Sequence, residues 1–273
     1  MPQRRFTFVH LMVSLAIVMF IAAYFASFLS VHSNRGESSS RVKCASNLRQ
    51  IGQAMLLYAN DNHQHYPRVV YTPSPLVVPT WGTGAAAADP FKPDGTSPND
   101  VSAALFLLLR TQDITPEVFV CPNSNAEKDD FGGGTNTAAN RSNFTDWKKN
   151  LSYSLHNPYP NEGAIPKDHE AQGWTTSMPA DFAVAADLNP GTAGGRDVVH
   201  VTIGSSASQM RKANSTSHDQ DGQNVLYGDG HVEFQNNPFC GTKRDNIYTA
   251  GDGQVIASPV NEEDSVLLPA QDW

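Results

Sequence analysis

Residues Phe6–Val31, FTFVHLMVSLAIVMFIAAYFASFLSV, run without a charged side chain unless His10 is protonated. At 1.5 Å of rise per residue, about 20 apolar residues cross the hydrocarbon core of a bilayer, so the run is predicted to be a membrane-spanning helix. A cleaved signal peptide with Arg4 and Arg5 at its basic start is the other reading. Its apolar core would normally run only about 7–15 residues before a small-residue site, for which Ala23-Tyr24-Phe25-Ala26 is the candidate. Arg35, Arg41, Lys43 and Arg49 follow the run, so the positive-inside rule taken alone leans towards a cytoplasmic C-terminus.

Those flanks make the chain bipartite. Residues 1–49 hold six basic side chains against Glu37 alone, a balance of +5, so the rest of a chain with net charge −8 carries −13. An acidic balance of this size argues against a nucleic-acid coat or a polybasic membrane binder. With 273 residues and 40% hydrophobic content the chain suffices for one large or two small domains, and its 20 Gly and 18 Pro imply much loop and turn.

Beyond the apolar run, Val42, Ala45, Leu48, Ile51, Met55 and Tyr58 recur in steps of three and four, the spacing of one helix face. Gly36 and Ser38-Ser39-Ser40 are candidate interruptions, and Asn60-Asp61-Asn62 with Pro67 is a stop signal. Tyr66–Gly95, rich in Pro, Gly and Ala, reads as an exposed loop or partner-facing insertion. Asn99-Asp100 is positioned to cap a helix containing Ala103–Leu109. The later half reads as strands at Leu151–Leu155, Phe182–Ala186, Val198–Ile203, Asn224–Tyr227 and His231–Phe234. Gly228-Asp229-Gly230 between the last two is a hairpin signal, because glycine tolerates the positive φ of tight turns.

The stretch Arg5-Phe6-Thr7-Phe8-Val9-His10-Leu11-Met12-Val13 resembles the start of type IV prepilins and type II secretion pseudopilins. Cys44–Ala54 is similar to the second half of the long helix in major-pseudopilin-like proteins, and His218–Phe234 to the H-X9-DG processing-associated domain known in Planctomycete-like bacteria. Phe119-Val120-Cys121-Pro122, Ser152-Tyr153-Ser154 and Ala186–Pro190 resemble further landmarks of that group. The resemblance implies an α+β pilin-like fold, a long N-terminal α-helix with a membrane-spanning first half, packed on an antiparallel β-sheet head. It also implies cleavage and N-methylation at Arg5/Phe6 by a prepilin peptidase, and assembly through Phe6 and the position of His10. Arg5 stands where the family has Gly, His10 where it has Glu, and ten residues rather than nine separate His218 from Asp229.

The expected organisation is a basic leader at 1–5, a transmembrane half-helix at 6–31 and its extramembrane half at 32–62. A head follows at 63–240, with the H-X9-DG hairpin at 218–234 and an acidic loop or tail at 241–273. The location this implies is the inner membrane, single-pass, with the head in the periplasm or at the cell surface. Expected partners are other copies, other pilin-like subunits, membrane lipid and the peptidase, with no nucleic acid directly indicated.

For chemistry, His218, Asp219, Asp221, Asp229, His231 and Glu233 crowd within sixteen residues. Asp219-x-Asp221-Gly222 opens like a calcium loop, but Gln223 and Gly230 occupy two positions where an EF-hand needs oxygen ligands. Calcium gains weight only from the resemblance, since major pseudopilins use it in a C-terminal loop. His218, Asp229 and His231 could instead hold zinc or iron, and turn chemistry alone also accounts for the Asp and Gly residues. Asp245 and Asp252 flank a second, weaker calcium candidate. The cysteines Cys44, Cys121 and Cys240 form no CxxC motif. Cys44–Cys121 and Cys121–Cys240 are both open as disulfides, as is a fully reduced set. No G-x-S-x-G nucleophile or phosphate-cradling G-x-x-x-x-G-K occurs, so the expectation is an assembly protein with no catalytic residue, not an enzyme. The rival class is a single-pass ligand- or metal-binding protein that does not polymerise.

Overall fold

The computed structural model describes residues 8–164, 173–251 and 253–271, with the backbone alone for residues 25–38. The chain divides into two units, Met1–Ser40 and Arg41–Trp273. Helix α1, Phe8–Asp61, passes through Gly36 and the serine run without a break. It stops where the Asn62 side-chain amide donates to the Tyr58 carbonyl at 2.7 Å and the backbone turns left-handed at His63 and Gln64.

Within the first unit, every large apolar side chain from Phe8 to Tyr24 is more than half exposed, from 51% at Ile21 to 81% at Phe20. The membrane-spanning half-helix expected at 6–31 is overturned here. Among the described residues no helix is long and apolar enough to cross a membrane. Phe8–Tyr24 rises about 25 Å, short of a hydrocarbon core of about 30 Å. The transmembrane, single-pass and inner-membrane assignments rested on that span and fall with it. Arg5 and Phe6, the expected processing site, lie outside the described residues.

In the second unit, the later turns of α1 bury Cys44, Asn47, Leu48, Ile51, Met55 and Ala59. The buried face is therefore rotated from the expected stripe: Val42 is 67% exposed, whereas the polar Asn47 is buried, donating to the Val120 carbonyl at 2.9 Å and to the Tyr153 hydroxyl at 3.1 Å. Gly52 lets the helix approach the sheet closely, since a Cβ there would stand 2.9 Å from Leu226 Cδ1.

The sheet is antiparallel, ordered β4-β3-β2-β1-β5, with β1 Tyr153–His156, β2 Ala183–Asp187, β3 Gln223–Tyr227, β4 Val232–Gln235 and β5 Leu267–Leu268. The Gly228-Asp229-Gly230 hairpin forms as read, with Gly230 at φ +87°. The strand expected at Val198–Ile203 does not form. There the Asp197 carboxylate accepts the amides of Val199 and His200, folding the segment into a turn. β5 instead brings Val266, Leu267, Leu268 and Ala270 of the 241–273 segment back into the core.

Helix α2, Val101–Thr111, is capped by Asp100 and buried from Val101 to Leu109, with Phe106 packed edge-on to Phe144 at 5.2 Å. The Tyr66–Gly95 segment has little regular structure yet is anchored rather than loose. Tyr66, Val69, Val77 and Trp81 are buried, and the Val69 amide donates to the Tyr159 hydroxyl at 3.1 Å. Helix α3, Trp147–Asn150, and helix α4, Ala207–Lys212, complete the named elements, and Trp147 packs edge-on to Trp81.

One core residue gives the fold a pH dependence. His156 is buried between Trp174 and Phe182, its Nδ1 accepting the Val266 amide at 3.4 Å. Burial penalises the imidazolium and pulls the pKa from 6.5 down to about 3. A depressed folded-state pKa leaves stability intact above about 6.5 and removes it as pH falls towards 3, costing about 2 kcal/mol by pH 5. Urea titrations at pH 7 and pH 5 should show His156→Gln losing about that much of the wild-type pH dependence. Parallel pH profiles for the two proteins would contradict it.

Candidate metal centre

Four elements converge on one buried point. Cys44 projects from α1, and Cys121 follows the short 3-10 turn Pro116–Phe119. Asp187 ends β2, and His218 closes the 3-10 turn Thr216–His218. All four side chains are fully buried, and their candidate ligand atoms lie within 4.8 Å of one another. Cys44 and Cys121 are joined as a disulfide with Cα atoms 5.3 Å apart, leaving Cys240 as the free thiol.

His218 Nε2 stands 3.3 Å from Asp187 Oδ2 and 4.0 Å from Cys121 Sγ. The same carboxylate oxygen accepts the backbone amide of Asn224 at 2.6 Å and its side-chain amide at 3.0 Å. Asp187 Oδ1, also buried, has no hydrogen-bond partner among the described residues. Around the group, the Tyr248 hydroxyl donates to the Asp187 carbonyl at 2.8 Å, and Phe234 lies edge-on to the His218 ring. Burial, with the Asp187 charge as a lesser cause, holds the phenols of Tyr153 and Tyr248 well above their usual value, so both stay protonated.

The group could hold a metal. Once the disulfide is reduced, two thiolates, one imidazole nitrogen and one carboxylate are donors of the kind zinc takes, whereas calcium takes six to eight oxygens. In the disulfide form the buried Asp187 carboxylate is met by the two Asn224 donors, with His218 Nε2 3.3 Å away.

The residues singled out in the sequence are dispersed. Only His218 belongs to this group. Asp221 is on the surface, bridged by Arg41 and Arg211 at 2.9 Å each. Asp219 occupies a left-handed turn position at φ +54°, its carbonyl accepting from Arg211. Asp229 accepts the backbone amide and the Nδ1 of His231, whose ring stacks on Tyr227 at 4.5 Å. In the second acidic segment, Asp245 accepts the Ser265 amide, and burial next to Asp264 raises its carboxyl to about 7; Asp252 lies outside the described residues. His10 is exposed on α1.

Asp187 does not stand out in the sequence as a site residue because it sits at the end of an apolar run, Ala183–Ala186, far from His218 and both cysteines. A carboxylate directly after four small apolar strand residues was the available signal. A separate cleft of about 430 Å³ is lined by Arg68, Tyr71, His156, Trp174 and Phe182 among others. Comparison with protein-family models, curated proteins and solved structures gives no match.

Proposed function

We propose that the chain is a pilin-like or pseudopilin-like structural subunit of a type IV pilus or type II secretion-like system. It acts by packing its N-terminal helix against the same helix of other copies. The observation that supports this best is the apolar surface of α1 from Phe8 to Tyr24, which is exposed on every side. A helix apolar all round is stable in water only when covered on all faces, and one partner surface covers one face. Several copies side by side cover them all. The segment suits this: it carries no fixed charge to repel a neighbour, and its Ser14 hydroxyl is satisfied internally by the Leu11 carbonyl at 2.9 Å. The likeness of Phe6–Val13 and His218–Phe234 to prepilin-type sequences points the same way.

Photo-crosslinkable residues at Leu15 and Phe20 of the full chain test the reading. Ladders of the same chain are expected at native expression. A Val13→Asp, Ile17→Asp double variant should reduce them more than about 10-fold, because each pair of copies would bury unpaired carboxylates. Monomers only, or adducts to lipid or detergent alone, would overturn it. Mass spectrometry of the mature N-terminus adds a separate check, since a start at an N-methylated Phe6 is the product expected of prepilin processing.

A second reading, a metal-binding head that does not polymerise, draws on the buried Cys44, Cys121, Asp187 and His218 group. Metal uptake without crosslinked ladders would favour it. Calcium, as the resemblance implies it, would instead draw on surface carboxylates such as Asp219, Asp221 and Asp229, the last two of which are engaged by Arg41, Arg211 and His231.

A further inference from the structure

We infer that the Cys44–Cys121 disulfide and a bound zinc-class divalent cation are alternative states of one buried site, interchanged by reduction. The sulfurs either bond each other or bond the metal. This inference stands apart from the assembly reading, because it concerns the interior of the head alone.

The donor spacing carries the argument. In a tetrahedral site with metal–nitrogen and metal–oxygen bonds of about 2.0 Å and metal–sulfur bonds of about 2.3 Å, neighbouring N and O lie about 3.3 Å apart. N and S lie about 3.5 Å apart, and the two sulfurs about 3.8 Å. His218 Nε2 is already 3.3 Å from Asp187 Oδ2 and 4.0 Å from Cys121 Sγ. The His218–Asp187 edge is therefore in place, the His218–Cys121 edge is about 0.5 Å too long, and the remaining donors lie within 4.8 Å, so the site must contract slightly while the sulfurs separate, which reduction permits. The second observation is the buried Asp187 Oδ1, which lacks a partner among the described residues. An unmet carboxylate oxygen inside a protein is costly, and a cation held through Oδ1 would meet it while Oδ2, the oxygen nearer His218, keeps its two Asn224 donors. Supporting groups surround the donors, as metal sites require: the two amides of Asn224 fix Asp187, and Asn47 ties α1 next to Cys44 to the Val120 carbonyl.

The chemistry balances with a dithiol as reductant. The dithiol becomes a disulfide, and the Cys44–Cys121 bond becomes two thiols. The cation then replaces both thiol protons, which leave to solvent along with any proton on His218 Nε2. Two thiolates, one carboxylate and a neutral imidazole remain around it.

The full chain is reduced with a phosphine, because a dithiol would itself bind metal, and is then titrated anaerobically with Co(II) and with Zn(II). Alkylation and mass spectrometry count the free thiols. One equivalent of Co(II) should bind the reduced chain, giving tetrahedral ligand-field bands and a thiolate-to-cobalt charge-transfer band that Zn(II) abolishes. The oxidised chain should give neither. His218→Gln and Asp187→Asn, each assayed in the reduced state, should weaken binding at least about 10-fold, the loss expected even of an outer partner. Cys44→Ser with Cys121→Ser should remove the charge-transfer band. If the reduced chain unfolds without metal, Zn(II) should restore its circular dichroism and cooperative melting. Overturning results are a reduced, folded chain that takes no cobalt, equal uptake by the oxidised chain, binding indifferent to both single variants, or an unfolded reduced chain that zinc does not rescue.

Discussion

Without metal, the Cys44→Ser, Cys121→Ser double variant is expected to lose about 4–5 kcal/mol of stability and to melt about 10–15 °C lower. The bond closes a loop across a sequence separation of 77 residues. A loop of that size, freed in the unfolded chain, gains entropy worth about 4.5 kcal/mol on the chain-entropy account. Inside that loop lie α2 and the anchored Tyr66–Gly95 segment, so the bond fastens α1 to the segment that follows the Pro116–Phe119 turn. Two serine hydroxyls would also be left in a site where both cysteines are fully buried. Urea unfolding of the oxidised wild type against the double variant measures the difference, and a loss below about 1 kcal/mol would show that the loop is constrained by other means.

Asp100→Asn is expected to cost about 3–5 kcal/mol, far above the usual effect of a single exchange. The Asp100 carboxylate is fully buried and accepts five hydrogen bonds. One oxygen takes the Ala103 amide and the Ser102 hydroxyl, both at 2.8 Å. The other takes the Thr83 amide, the Thr83 hydroxyl and the Asn143 side chain. An amide group in its place would turn an N–H towards donors on one side, leaving several buried groups unmet at once. The residue is both the N-cap of α2 and the tie between that helix and the Thr83 and Asn143 loops. Denaturant titration should show a lower midpoint at unchanged slope. A stability within about 0.5 kcal/mol of wild type would mean that the network rearranges around the amide.

The features legible in the sequence were those with local chemistry. Asp100 before an apolar run reads as a cap, and Gly228-Asp229-Gly230 as a turn, because a few adjacent residues decide each outcome. The later half of α1 was legible as a helix, but its buried face was not. Asn47 is interior only because Val120 and Tyr153, distant in the chain, satisfy it. β5 is two residues long and pairs with β1 through contacts that no periodicity announces. Val198–Ile203 looked like a strand until the Asp197 carboxylate claimed its amides. The candidate metal group shows the same division. The acidic crowd of 218–233 is conspicuous in the sequence because it is contiguous, yet Asp221 and Asp229 pair with Arg41, Arg211 and His231. The donors that do converge come from four separate elements.

The short β5 has a further consequence at the margins of the sheet. An exposed, flat edge strand is a template for another chain, and each additional residue of edge lengthens the row of amides it offers. β5 is two residues long and buried, its Leu267 amide donating to the Ile247 carbonyl at 2.9 Å, and at the other margin β4 carries Glu233, with the Arg49 guanidinium reaching the Val232 carbonyl at 3.5 Å. Neither margin is built to recruit a stranger's strand. Edge-to-edge pairing of this sheet with a second copy into cross-β ribbons is thereby disfavoured.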